Sequence, residues 1–153
     1  MIDGYPISCI QHPETGRELE FGELEPAEVS KRVLVIGGGP AGLKAAAIAA
    51  ERGHDVTLLE AEPTLGGQVR LAQLLPGRAE FGGVTVNLER EARAAGVDIR
   101  LNTRADAAMV AADAPDCVIL ATGAMPRDVP MEGAEEGHVV EAWDVLQGKV
   151  NVG

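Results

Sequence analysis

The chain has 153 residues, enough for one domain, and 46% of them are apolar, enough to bury a hydrophobic core. A net charge of −11 argues against nucleic acid or an anionic membrane as a partner. We find neither an apolar run of about 18 residues nor the layout of a signal peptide, so we expect a cytoplasmic protein.

The first 30 residues are predicted to form an N-terminal arm or linker. Prolines and glycines interrupt this segment repeatedly, and acidic residues are concentrated between Glu18 and Glu28. Periodic apolar segments begin only after it. We therefore assign residues 31–153 to a single folded domain.

A glycine motif at the start of that domain is the most informative feature of the chain. An apolar strand at Val33–Ile36 is followed by glycines 37, 39 and 42 and then by an alanine-rich helical segment, residues 43–52. This order is the fingerprint of an adenine-dinucleotide site. Gly37 permits a tight turn, Gly39 leaves room for a pyrophosphate, and Gly42 lets the helix pack on the strand. The helix start then favours phosphate charge.

A second strand, Asp55–Glu60, ends in a carboxylate that can accept hydrogen bonds from ribose hydroxyls. Glu60 disfavours NADP, because a 2′-phosphate would face another anion with no arginine between them. FAD, NAD and ADP all remain compatible with this unit. A βαβ unit whose glycines serve only packing is the plain structural alternative.

The rest of the domain continues the alternation of strands and helices. Helices are predicted at 69–75 and 83–95, and strands at 97–101 and 116–121, while 105–112 fits either a short strand or a helical turn. We expect Cys117, in the last strand, to be a small buried core residue. The pattern predicts an α/β Rossmann-like fold with a parallel sheet and helices on both faces. The nucleotide should lie at the carboxyl ends of the strands.

Two further motifs resemble those of flavoproteins. The segment Leu65-Gly66-Gly67-Gln68 resembles the loop that approaches the FAD pyrophosphate in flavin disulfide-reductase-like enzymes. The segment Val118–Ala124, which includes Ala121-Thr122-Gly123, resembles the strand and ATG motif that closes over the dinucleotide in those enzymes. The remaining candidate cofactor contacts are Pro40, Ala41, Ala61 and Ala105.

The arm resembles a more specific group, the old-yellow-enzyme-type iron–sulfur flavoproteins. This group includes 2,4-dienoyl-CoA reductase and the trimethylamine, dimethylamine and histamine dehydrogenases, and the resemblance lies in residues 7–18, 75–81 and 139–148. It implies an FMN-binding barrel, a [4Fe–4S] centre and a nicotinamide-binding domain elsewhere in a parent enzyme or complex. It also implies that Cys9 is the last cluster ligand, although His12 stands where the group more often has Asn.

One cysteine cannot hold a [4Fe–4S] centre, which needs four thiolates, so Cys9 is a metal ligand only if a partner or parent chain supplies three more. We expect the chain to be a fragment, an excised domain or a split subunit. We nominate no catalytic residue, since His12, His54 and His138 are scattered and have no visible partner.

Three hypotheses stay open. The chain is the FAD-binding portion of an iron–sulfur flavin oxidoreductase that reduces an enoyl substrate or oxidises an amine. Alternatively, it is a non-catalytic module that binds ADP or another adenine nucleotide. The third option is a stand-alone NAD-binding domain, which leaves the Gly66–Gln68 loop and the Cys9 arm unexplained.

Overall fold

A computed structural model describes residues 7–151 and contains a parallel sheet of four strands in the order β3-β2-β1-β4. In chain order the strands are β1 (Arg32–Ile36), β2 (Asp55–Leu59), β3 (Asp98–Arg100) and β4 (Cys117–Leu120). Val33 pairs with Val56 of β2 on one side and with Cys117 of β4 on the other. The order, with β1 at the centre, is that of a Rossmann-like fold and confirms the predicted fold class.

Six α-helices and one 3-10 turn connect and flank the strands in the described residues. They are α1 (Glu18–Phe21), α2 (Pro40–Glu51), α3 (Val69–Ala72), the 3-10 turn Ala79–Phe81, α4 (Gly82–Ala94), α5 (Ala107–Asp113) and α6 (Ala142–Leu146). The ambiguous segment 105–112 is thus largely helical. Asp106 begins α5 by accepting a hydrogen bond from the N–H of Met109 at 2.8 Å, a standard N-cap. None of the helices within residues 7–151 has the length and apolar character needed to cross a lipid bilayer.

The hydrophobic core lies between one face of the sheet and helices α2 and α4. Alternation along the strands directs Val33, Val35 and Leu58 to this face, where they meet Leu43 of α2 and Leu88 of α4. Each of these side chains is buried, and three of them, Val35, Leu43 and Leu58, have no exposed surface. The amphipathic spacing that predicted a helix over 83–95 therefore reflects real packing, and this core fixes the carboxyl end of the sheet where the site lies.

The opposite face of the sheet is more open. Val118 and Leu120 of β4 stand in register with Leu34 and Ile36 of β1, and α5 lies across a hollow of about 540 Å³ beside them. Val118 is 38% exposed and Leu120 is 75% exposed. The expectation that Cys117 is a buried core residue was wrong, because it is exposed. The reason is positional: β4 is an edge strand of the described sheet.

The N-terminal arm is tied to the domain through the C-terminal end of α2. The N–H of Ala27 donates to the carbonyl of Arg52 at 2.8 Å, and the Arg52 side chain donates to the carbonyl of Glu25 at 3.0 Å. The Ser30 hydroxyl donates to the carbonyl of Gly53 at 2.7 Å. These contacts hold the end of the arm beside the C-terminal end of α2, immediately before β1 begins at Arg32.

Candidate dinucleotide-binding site

The turn between β1 and α2 is shaped by close backbone approaches that only glycine tolerates. Gly37 has φ +111°, and its N–H donates to the carbonyl of Leu59 at 2.8 Å. A Cβ at this position would overlap the carbonyl oxygen of Ala121, at the end of β4. A Cβ on Gly42 would overlap the carbonyl oxygen of Gly37. Both glycines therefore serve the fold, as the fingerprint predicts for a tight turn and close helix packing.

Gly39 differs from these two glycines, because a Cβ built on it would meet no protein atom within 4 Å. Its backbone is in the extended region, φ −75° and ψ 177°, which any residue can adopt. Gly39 also stands at the N-cap of α2 with no side chain to cap the helix, and Pro40 follows at the first helical position. The first N–H groups of α2, those of Ala41 and Gly42 among them, are thus available to an anion in the open space before Gly39.

Glu60 follows β2, and its carboxylate is held in place by two backbone groups. Oε2 accepts a hydrogen bond from the N–H of Gly38 at 2.7 Å, and Oε1 accepts one from the N–H of Glu62 at 2.8 Å. The residue is only 9% exposed. Because a carboxylate oxygen can accept more than one hydrogen bond, each oxygen retains capacity for a hydroxyl donor. Among the ion pairs between described residues, none involves Glu60.

The loop 65–68 packs directly against the glycine turn. The N–H of Gly66 donates to the carbonyl of Gly38 at 2.8 Å, and a Cβ on Gly67 would lie 3.3 Å from the Cα of Gly39. The Gln68 side chain donates to the carbonyl of Ala124 at 2.8 Å, just after the Ala121-Thr122-Gly123 segment. Two segments that are more than 50 residues apart in sequence therefore meet beside the open space at Gly39.

The strand order arranges the candidate residues along one edge of the sheet. Glu60 and Ala61 follow β2, the turn with Gly39, Pro40 and Ala41 follows β1, and Ala121 to Gly123 follow β4. Ala105 lies before α5 and lines the hollow on the open face, together with Thr122 and Ile36. A dinucleotide lying along this edge would have its adenosine at β2, its pyrophosphate at α2 and its second half at β4.

Gly38 was not among the predicted site residues, yet its N–H orients the Glu60 carboxylate. A Cβ on Gly38 would lie 2.9 Å from Glu60 Oε2 and 2.5 Å from the Leu65 side chain. The sequence does carry a signal here, since the fingerprint needs glycine only at 37, 39 and 42 while this chain has three consecutive glycines. An extra glycine beside the fingerprint indicates a further close approach.

The cysteines and histidines within residues 7–151 do not form a metal centre. No group of three or more His, Cys, Asp or Glu side chains in this part of the chain could hold a metal ion, and Cys9 and Cys117 are both exposed free thiols. A [4Fe–4S] cluster therefore does not fit the described residues of this chain by themselves. His54 has a structural role, accepting a hydrogen bond at Nδ1 from the N–H of Lys31 at 3.2 Å.

Comparison with known proteins places this geometry in a family. The sequence profile described as pyridine nucleotide-disulphide oxidoreductase matches residues 31–148. The NADH oxidase of Thermoanaerobacter brockii is 46% identical over 147 residues, which are 95% of this chain and 23% of the oxidase.

Solved structures agree with this match. A 2-naphthoyl-CoA reductase in complex with 2-naphthoyl-CoA superposes with a TM-score of 0.89 at 35% identity, over 95% of this chain and 22% of the reductase. The histamine dehydrogenase of Rhizobium sp. 4-9 superposes with a TM-score of 0.80 at 31% identity, over 94% of this chain and 23% of the dehydrogenase. Histamine dehydrogenase belongs to the group that the sequence motifs resemble, so that resemblance is confirmed. The chain spans less than a quarter of the length of each of these relatives.

Proposed function

Because the chain belongs to the pyridine nucleotide-disulphide oxidoreductase family, we propose that it is the FAD-binding portion of an iron–sulfur flavin oxidoreductase that mediates electron transfer. The parent activity would be an NAD(P)H-dependent enoate or dienoyl reductase, or an amine dehydrogenase. Relatives named NADH oxidase, 2-naphthoyl-CoA reductase and histamine dehydrogenase support this range of reactions.

The open space in front of Gly39 is the observation that carries the proposal. It lies at the N-terminus of a helix of 12 residues, whose dipole and unpaired N–H groups attract a pyrophosphate. A carboxylate fixed by two backbone N–H groups lies at the end of the neighbouring strand, in the position suited to a ribose diol. A turn whose glycines served packing alone would not need Gly39 to be a glycine, because its Cβ would meet nothing.

The residues of this chain would bind and orient the cofactor rather than act as acids or bases. Glu60 would accept hydrogen bonds from the ribose hydroxyls, and the start of α2 would hold the pyrophosphate. Gln68, Thr122 and Gly123 would border the half of FAD that extends past β4. The bound flavin would supply the hydride and electron chemistry.

The proposal includes partners outside this chain. Cys9 would serve as the last ligand of an iron–sulfur cluster whose other three cysteines come from the parent chain or a partner subunit, next to an FMN-binding barrel. A nicotinamide-binding domain would likewise be provided elsewhere. We further propose a cytoplasmic location, which the two free and exposed thiols support.

A second candidate function, a non-catalytic module that binds ADP, is favoured by a different observation. The groups that would contact the adenosine ribose and the pyrophosphate, Glu60 and the start of α2, are buried or partly buried. By contrast, the β4 side, where a flavin half would extend, is bordered by exposed residues and an open hollow.

Nucleotide analysis of the purified chain tests both candidates. The protein is denatured, released small molecules are separated by chromatography, and affinities for FAD, ADP, NAD and NADP are then measured by calorimetry. Released FAD, or FAD binding clearly tighter than ADP binding, supports the flavin proposal. Equal affinity for ADP and FAD favours the ADP module. Preferential NAD binding supports a simple dehydrogenase domain, and no affinity for any adenine nucleotide contradicts all three.

Glu60→Ala provides the site-specific test, with Glu62→Ala as its matched control. Glu62 is an exposed neighbour whose side chain accepts no hydrogen bond among those found in the described structure. Weaker nucleotide binding in the first variant alone assigns the ribose contact to Glu60. Equal effects of the two substitutions would indicate that general negative charge, rather than a specific contact, governs binding.

A further inference from the structure

Residues 7–17, which we call the Cys9 loop, are folded back on themselves. The N–H of His12 donates to the carbonyl of Cys9 at 3.3 Å, and successive turns follow with Thr15 donating to His12 and Arg17 to Glu14. Gly16 has φ +78°, and a Cβ there would lie 2.5 Å from the carbonyl oxygen of Ile7. The two ends of the loop thus touch, with Cys9 between them.

The Cys9 loop also docks on the domain, through side chains on both α2 and α4. Lys44 of α2 lies between two carboxylates: its Nζ is 3.5 Å from Glu14 Oε1 of the loop and 3.2 Å from Glu91 Oε2 of α4. The Asn87 side chain of α4 donates a hydrogen bond to the side-chain oxygen of Gln11. One cation and one amide therefore join three separate segments of the chain.

This arrangement differs from an ordinary surface ion pair. The side chains of Lys44 and Glu14 are only 23% and 19% exposed, so solvent screens their interaction less than it screens an open pair. Burial of the Glu14 carboxyl tends to raise its pKa. A backbone hydrogen bond at Glu14, together with the electrostatic influence of Lys44 and His12, outweighs that burial and holds the pKa of the Glu14 carboxyl below its ordinary value, so the folded surroundings favour the carboxylate form.

The position of Lys44 connects the loop to the nucleotide site. Lys44 comes four residues after Pro40, the first residue of α2, which places it about 6 Å along the helix axis from the N-terminus that faces the open space at Gly39. A loop fixed at Lys44 is therefore fixed relative to the pyrophosphate end of the candidate site.

We infer that Lys44 is a positioning residue that latches the Cys9 loop to α2 and α4 through Glu14, and so holds Cys9 at one place relative to the dinucleotide turn. The latch itself depends only on contacts within this chain. Its value for bringing Cys9 to a shared iron–sulfur cluster rests on the proposed function. Without the latch, the loop would be an arm of variable position in front of β1.

The chain carries its own probes for testing this inference. It contains two cysteines, Cys9 in the loop and Cys117 on β4, and both are exposed. Nitroxide labels on these two residues of the full chain allow the distance between them to be measured by double electron–electron resonance. We expect a single narrow distance distribution for the unmodified sequence. Lys44→Met and Glu14→Gln should each lose this narrow peak in favour of a broad distribution.

Three controls separate latching from general damage. Lys44→Arg keeps the cation and should retain the narrow peak. Glu89→Gln removes the ion pair between Glu89 and Arg93, an exposed contact at 2.9 Å on the same helix α4, and should also leave the peak narrow. The thermal melting temperature of each variant shows whether the domain itself stays folded, and Gln11→Ala tests the second contact should a Lys44 variant fail to fold.

A broad distribution in the unmodified chain would overturn the inference, as would a narrow peak in Lys44→Met. The same samples titrated with ADP distinguish this inference from the proposed function. A narrow peak without nucleotide binding supports the latch and contradicts the proposed function. Nucleotide binding with a broad peak contradicts the latch and leaves the proposed function standing.

Discussion

Substituting Gly39 with alanine should separate binding from folding at this turn. The added Cβ would project into space that contains no protein atom within 4 Å, and the backbone at Gly39 is already in a region open to alanine. The fold therefore has nothing to rearrange. A pyrophosphate at the α2 terminus, however, would meet the new methyl group where it must approach the backbone.

The size of each effect follows from the local structure. Alanine reduces the entropy of the unfolded chain, worth about 0.4–1 kcal/mol, but it is a poorer N-cap than glycine by a similar amount. We therefore expect the free energy of unfolding to change by less than about 1 kcal/mol. Losing two hydrogen bonds to a charged phosphate, each worth about 1.5–3 kcal/mol, should weaken ADP or FAD binding by at least about 100-fold.

Two other glycines provide the comparison. Gly42→Ala places a Cβ against the carbonyl oxygen of Gly37, so the helix must shift, at a cost in stability of about 1–3 kcal/mol. Gly137→Ala is the neutral control, because a Cβ there also meets nothing within 4 Å and the residue lies in a loop after the candidate site.

Thermal unfolding and titration calorimetry with ADP measure both quantities on the same preparations. We expect Gly39→Ala to have a melting temperature close to that of the unmodified chain but to bind ADP at least about 100-fold more weakly. Gly42→Ala should have a lower melting temperature, and Gly137→Ala should match the unmodified chain in both assays. Undiminished ADP binding by Gly39→Ala would refute the reasoning, since it would show that the open space is not where a pyrophosphate lies.

Four further outcomes are expected. Glu60→Ala should weaken ADP binding by about 1–3 kcal/mol in calorimetry, and unchanged affinity would make its carboxylate a purely structural group. Gln68→Ala should weaken FAD binding by about threefold and leave ADP binding unchanged, because its contact with Ala124 lies on the β4 side; equal losses for both ligands would contradict this. Leu58→Ala should lower the free energy of unfolding by about 2–5 kcal/mol, and Leu120→Ala by less than about 0.5 kcal/mol, since their exposures are 0% and 75%; similar losses would contradict the open face. The fold holds the pKa of Glu14 below its ordinary value of 4.5, so the stability that this carboxylate contributes is fully present above pH 4.5. That stability is lost as the pH falls through the lowered pKa of the folded state. The difference in unfolding free energy between the unmodified chain and Glu14→Gln should therefore become smaller in acid. A difference that became larger in acid would contradict a lowered pKa for Glu14 in the folded state.

Local sequence was sufficient to predict the central part of this fold. The strand at Val33–Ile36 and the helix over 83–95 were predicted from period and composition, and the structure has β1 at Arg32–Ile36 and α4 at Gly82–Ala94. These elements carry their signal within a few residues, because apolar spacing follows directly from strand and helix geometry. The fingerprint likewise places Gly37 and Gly42 in contacts that exclude a side chain.

Contacts between distant segments were beyond such reasoning. Lys44 is one polar residue in an alanine-rich helix, and a lysine there usually faces solvent. Its partners Glu14 and Glu91 lie 30 and 47 positions away, and nothing in their local sequence links them to it. Gly38 was missed for a similar reason, since its function depends on a carboxylate 22 residues later. Pairing across such separations is set by the folded arrangement of α2, α4 and the arm.

The error at β4 has a different origin, and it agrees with the proposal that this chain works inside a larger enzyme. The apolar sequence Cys117-Val-Ile-Leu120 is typical of a strand covered on both faces. Of these residues, Ile119 packs against the core, while Val118 and Leu120 face the open side. Solvent alone would not favour valine and leucine at the two outward positions. The matched relatives are more than four times as long as the region they share with this chain, so the rest of a parent enzyme would be large enough to cover that face, in line with the partners proposed above.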